Sequence, residues 1–224
     1  MLLVSVFGIL IGTAFLFIKE PRRLRALISR RVTGNNGCAS AMRYVDLSHL
    51  LEDGMKTSPG LPNPKIGALL DHKGSRFRHS GKAEFYLGKV EMACNSGAYL
   101  NSPFRRYPDR PDLSQISLET VAGLPRMVSD GRVMPNRSVT IKCGKEEIHG
   151  RGVPIRTGWD QRWGADGYRE LGPYLSDESL QMLIHSKAKL VGVDFSNVDD
   201  TVDSSRPVHT RLLASDSTLF HQES

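Results

Sequence analysis

Cysteine is scarce in this 224-residue chain: Cys38, Cys94 and Cys143 are the three present, and no two stand at a CxxC spacing. An odd, scattered set argues against a disulfide framework and against a structural zinc finger, and reads as reduced thiols. No glycine-rich phosphate loop occurs, which disfavours a nucleotide enzyme. No internal repeat is visible, and apolar residues at 39% with charged residues at 24% fit neither a disordered nor a fibrous chain. Excess charge of one sign is also missing from most of the chain. Residues 1–41 carry six Lys/Arg and one acid, whereas the remaining 183 carry 24 basic and 23 acidic side chains. The formal charge of +6 therefore belongs mainly to the N-terminal arm, and a nucleic-acid partner is not expected.

What is present begins with Leu2–Ile18, 17 uncharged residues followed by Lys19-Glu20-Pro21-Arg22-Arg23. That length is at the short edge of a membrane-spanning helix. No basic residue precedes the run, and Ala39-Ser40-Ala41 lies too late to serve as its cleavage site, so a secretory signal is disfavoured. Two readings stand: a single anchor at residues 2–18 with its following positive cluster, and hence the body, on the cytoplasmic side, or translation from Met42 and a cytoplasmic body alone. Arg31–Ser40, polar and rich in Gly and Asn, reads as a linker. The expected organisation is an arm over 1–41 and one α/β domain over 42–224, long enough to enclose a core.

Within the body, Tyr44–Leu47, Glu84–Ala93, Ser138–Lys142 and Val153–Thr157 read as strands. Ser117–Leu124 reads as a short helix, and Pro103–Pro111 as a basic, proline-bounded loop. The clearest helix is Asp177–Lys187: Ser176 can cap it, Asp177 and Glu178 favour its N-terminal dipole, and Leu180, Leu183 and Ile184 share a face. Lys189–Phe195 follows as a buried strand. Pro207 opens another helix at its first position, with Leu212 and Leu213 on the apolar side. This mixture of strands and helices is α/β of a non-Rossmann kind.

Six short segments then occur in order: Asp46-Leu47-Ser48-His49, Asp53-Gly54-Met55, Pro59-Gly60-Leu61-Pro62, Asn95-Ser96-Gly97-Ala98-Tyr99-Leu100-Asn101-Ser102-Pro103, Arg156-Thr157-Gly158-Trp159-Asp160 and Pro207-Val208-His209. Together they resemble the cyclase family, which includes bacterial kynurenine formamidases and isatin hydrolases. The resemblance runs from Met42 to about His221. It implies a swivelling β/β/α domain, a homo-oligomer, a small aryl or cyclic amide as substrate (in the formamidases, within tryptophan catabolism), and a divalent metal, zinc or manganese. The family's metal motif is His-x-Gly-Thr-His-x-Asp-x-Pro with a further His, then a later His and a Glu. Neutral imidazoles and carboxylates of that kind hold a metal that acidifies a bound water.

Mapped residue by residue, this chain departs from the motif. Asn95 and Tyr99 stand at the two His positions, Asn101 at the Asp, and Arg105 at the trailing, proton-moving His. His209 matches the later His. His221 falls at the expected Glu, with Glu223 two further on; the chain stops at Ser224 and Asp216–His221 is more polar than the buried strand expected there, so an altered C-terminal end is expected. Amides and a phenol are poor zinc ligands, and an arginine cannot act as a base near neutral pH. The expectation is therefore a weak or absent metal at His209 and His221, and either a hydrolase or a catalytically silent ligand-binding or oligomer-forming relative.

Several residues keep two readings. His209 is either a ligand or a structural histidine at a helix start. Tyr99 and Asn101 either hydrogen-bond a ligand or fill a former metal cavity. Arg105, Arg106 and Tyr107 either recognise a carboxylate or form a solvated loop. Trp159 either flanks a pocket or packs in the core, and His49 is either structural or pocket-lining. Asp199-Asp200 either holds a cation or caps a helix. One consequence is testable at once: a chain starting at Met42 is expected to melt within about 3 °C of the full chain in detergent, a change of roughly 1 kcal/mol. A larger drop would show that residues 1–41 contribute to the core.

Overall fold

Four consecutive apolar residues, Leu190–Val193, are buried on both faces and form β8, the middle of the protein's main sheet. A strand with no polar side needs cover on each face and parallel neighbours. The computed structural model describes residues 48–56 and 60–222 and supplies those neighbours. They are β6 (Gly152–Arg156) and β9 (Thr218–Gln222), with β4 (Ser129–Val133) beyond β6. The remaining strands of this sheet are β3 (Ala98–Asn101), β5 (Ser138–Ile141) and β7 (Tyr174–Leu175). The seven run in the order β3-β9-β8-β6-β4-β5-β7. The pairings β9/β8, β8/β6 and β6/β4 are parallel, while β3 lies antiparallel on β9 and β5 antiparallel on β4. The architecture is thus mixed α/β.

Pro154 sits inside β6, where a missing N–H would ordinarily break a ladder. Its place explains the tolerance. Gly152 exchanges hydrogen bonds with Pro125 O and Met127 N on the β4 side, and regular β6/β4 pairing begins only at Ser129 opposite Ile155. Pro154, two residues after Gly152, turns its nitrogen toward that same side, at the gap between the two stretches of pairing. Further along β4, Gly131 leaves no room for a side chain: a Cβ there would lie 2.7 Å from Val139 and 2.9 Å from Ile155.

The helices cover this sheet. In α3 (Asp177–His185) the Ser176 hydroxyl accepts from Ser179 N at 3.2 Å, and Leu180 and Leu183 are buried. This helix ends two residues before the sequence-based expectation, because Lys187 takes a left-handed turn at φ 55°. In α4 (Pro207–Ala214), Val208, Leu212 and Leu213 are buried. A single short turn, α2 (Lys145–Ile148), buries Ile148. Together with Val139, Ile141, Phe195 and Leu219 these residues form one core.

Other expectations shift. Ser117–Leu124 yields only a wide turn over Glu119–Gly123. Glu84–Ala93 contracts to β2 (Leu87–Glu91), which pairs with β1 (Lys65–Leu70) in a two-stranded sheet and has no buried residue. The polar stretch before His221 does form a buried strand. Ser217 Oγ donates to Ala188 O at 2.5 Å and Thr218 Oγ1 to Lys189 O at 3.2 Å, so its hydroxyls are satisfied inside.

The chain divides into two compact units, one holding Leu70–Gly88 and the other Ser48–Leu69 with Lys89 onward. In the first, α1 (His72–Arg78) is capped by Asp71, which accepts from Gly74 N at 2.7 Å. Buried Ser75 holds Phe85 N at 2.8 Å. The expected anchor at 2–18 and the strand Tyr44–Leu47 lie outside the described residues. Among the described residues, no helix is long and apolar enough to cross a membrane.

Leu183 is fully buried between α3 and the sheet, so Leu183→Ala is expected to cost about 2–5 kcal/mol in urea unfolding. Gly131→Ala is expected to cost roughly 1–3 kcal/mol by overpacking against Val139 and Ile155. Values below about 0.5 kcal/mol at both positions would contradict this packing.

Candidate functional site

Residues on β3 alternate in burial, with Tyr99 and Asn101 turned inward. Gly97, at φ 71°, supplies the left-handed turn that leads into this strand. The antiparallel register sets Tyr99 directly opposite His221 on β9. Directly paired residues share a face, and here their rings stack with centroids 5.1 Å apart and planes 14° apart. The His209 ring, from the first turn of α4, stacks near the same imidazole at 5.2 Å and 10°. The Arg105 guanidinium lies 5.9 Å from the centre of the Tyr99 ring. Sheet register, helix placement and loop turn thus gather Tyr99, His221, His209 and Arg105.

Behind His209 stands Asp199, whose carboxylate is 1% exposed. It accepts from Val208 N at 2.6 Å and His209 N at 3.4 Å, and its Oδ2 lies 2.5 Å from His209 Nδ1. Asn197 Oδ1 in turn accepts from Asp199 N at 3.0 Å. Asp199 therefore caps α4 and orients His209 with one carboxylate. The capping half of this role follows from Asp-rich loop chemistry before Pro207. The bond to His209 spans ten residues and carries no local sequence signal.

His221 is wholly buried, and burial holds its pKa well below the ordinary 6.5; His209 and Arg105 push it further down. It is neutral at physiological pH. Both its ring nitrogens lack a hydrogen-bond partner among the described residues, as do His209 Nε2, Asn101 Nδ2 and Ser96 Oγ. Asn95 lies half-buried in the loop before β3.

The loop after β3 is divided in its roles. Arg106 donates to Ser205 O at 3.2 Å, Tyr107 OH donates to Thr210 O at 2.9 Å, and Arg110 donates to Ala214 O at 3.3 Å and pairs with Asp216. These contacts strap the loop along α4. Arg105 alone of the three arginines makes no side-chain hydrogen bond among the described residues, and its guanidinium lies beside the ring stack. His49 and Trp159 belong to a different aromatic group: His49 stacks on Trp163 at 4.0 Å, and Trp159 Nε1 donates to Tyr168 O at 2.9 Å beneath the Arg162 guanidinium. Burial lowers the His49 pKa, partly offset by Asp160.

Residues 45–200 match the protein-family model described as Cyclase. The chain belongs to the cyclase family. It is 24% identical over 173 residues to a kynurenine formamidase of Bacillus anthracis, covering 76% of this chain and 77% of that one. Isatin hydrolase A from Ralstonia solanacearum superposes with a TM-score of 0.56 at 16% identity, over 80% of this chain and 78% of its own. A structure described as a predicted metal-dependent hydrolase from Bacillus stearothermophilus gives 0.57 at 15% identity, over 80% and 81%. At such identities these structures share the fold.

A divalent metal is the group this cyclase fold implies, and the residues here do not fit it. The strong donors at the centre are two imidazoles, and the nearby carboxylate of Asp199 is occupied by three N–H groups. Among the described residues no cluster of three His, Cys, Asp or Glu could hold an ion. A stable zinc site needs three or four such ligands, and the Arg105 charge opposes a further cation.

The neutral His221 predicts a pH dependence. Unfolded, this histidine protonates near its ordinary 6.5; folded, it stays neutral to lower pH. The unfolded state therefore binds more protons below that value, and stability falls as pH drops from there toward the folded pKa. Between pH 6 and 5, unfolding free energy is expected to decline more steeply, by up to about 1.4 kcal/mol per pH unit, in the natural chain than in His221→Gln. Equal slopes in urea titrations would show that His221 is not shielded.

Proposed function

We propose that this cyclase-family chain, on the family's swivelling β/β/α fold, binds a small aryl or cyclic amide and does not cleave it with metal-activated water. The observation that carries the reading is His221, neutral and fully buried, stacked on Tyr99 and His209, with the nearby carboxylate of Asp199 committed elsewhere. The amide class is supported by similarity to a kynurenine formamidase and to isatin hydrolase A.

A second reading, slow hydrolysis of the C–N bond without a metal, is favoured by the Asp199–His209 pair. Asp199 fixes a proton on Nδ1 and leaves Nε2 buried and without a partner, the arrangement of an oriented general base. In that reading His209 Nε2 takes a proton from the attacking water.

Elemental analysis after dialysis against a weak chelator tests the metal-free reading. Less than about one-tenth of a zinc or manganese per chain is expected, and Asn95→His, Tyr99→His and Asn101→Asp together should raise metal affinity. Near one metal per natural chain would overturn it. Chelator-insensitive hydrolysis of an N-formyl aniline, lost in His209→Gln, would instead select the second reading.

A further inference from the structure

Positive charge and unsatisfied hydrogen-bond donors share the centre that does not fit a metal. Asn101 is 3% exposed, and its side-chain Nδ2, which can only donate, has no acceptor among the described residues. Ser96, 2% exposed, has a hydroxyl without a partner there, and a neutral His221 brings one further N–H. Arg105 adds a permanent cation beside Tyr99, near enough to His221 to depress its pKa. The carboxylate that could answer these donors, Asp199, already accepts from Val208 N, His209 N and the His209 ring. Buried donors left without acceptors are costly, so the arrangement calls for an acceptor from outside.

We propose that this centre binds a small carboxylate, in place of a divalent cation, with Arg105 and the Asn101 amide as its principal donors. The inference rests on the metal-free reading above and adds that the amide ligand carries a carboxylate, the group this centre recognises. An arginine fork matches the two oxygens of a carboxylate. Arg105 is available for this because Arg106 and Arg110 are tied to α4 and its flank. The unpartnered His209 Nε2 and the second His221 nitrogen provide acceptors for a polar N–H or O–H next to the carboxylate.

The test compares benzoate with its uncharged isostere benzamide by isothermal calorimetry on the full chain, followed by zinc chloride in place of either. Benzoate is expected to bind at least about tenfold more tightly than benzamide, and zinc to give no saturable binding. Arg105→Gln, at an exposed position that leaves the core intact, should erase the preference for benzoate, and Asn101→Leu should weaken benzoate alone. Equal binding of the two probes, no benzoate binding, or a preference that survives Arg105→Gln would overturn the carboxylate site while leaving the metal-free reading standing. Saturable zinc binding near one ion per chain would overturn both.

Discussion

The Asp199 carboxylate is the constraint on which the centre depends. It caps the first turn of α4 through Val208 N, and in doing so places His209 where its ring can lie against His221. A buried carboxylate is costly unless it is hydrogen-bonded, and this one is met by two backbone donors and one ring nitrogen. The same commitment withdraws it from any metal. Helix placement, histidine orientation and the chemistry denied to the site thus share one side chain.

Much of the fold is legible in the sequence, where short-range physics decides it. The Ser176 cap, the acidic first turn and the Leu180/Leu183 face specify α3, and Pro207 specifies the start of α4. The strand Lys189–Phe195 is recovered as Leu190–Val193 because an uninterrupted apolar run has nowhere to go but the middle of a sheet. What misleads is polarity read without partners. Asp216–His221 looks too polar for an interior strand, yet the carbonyls of Ala188 and Lys189 meet the hydroxyls of Ser217 and Thr218. Glu84–Ala93 looks half-buried by its pattern, yet Phe85, Leu87 and Val90 are exposed.

The site is legible to a different degree. Motif order brings Tyr99, Asn101, Arg105, His209 and His221 forward as one set, and strand register and helix placement bring Tyr99, His221 and His209 into a ring stack with Arg105 beside them. The sequence does not show that His221 is sealed from water and kept uncharged, because burial is a property of the whole sheet. Nor does it show how the basic loop divides its work. Arg105, Arg106 and Arg110 are alike on paper, and only their reach to Ser205 O and Ala214 O separates two straps from the one guanidinium beside Tyr99.

Pro154 and Gly131 sit on neighbouring strands, one lacking a donor and the other tolerating no side chain. Sliding β4 along β6 by one residue would carry Asp130 or Arg132 into the space that Gly131 occupies. Such an alignment is therefore disfavoured by side-chain clash. A residue with no side chain thus keys the seating of β4 on β6, by leaving no space there for either of its neighbours.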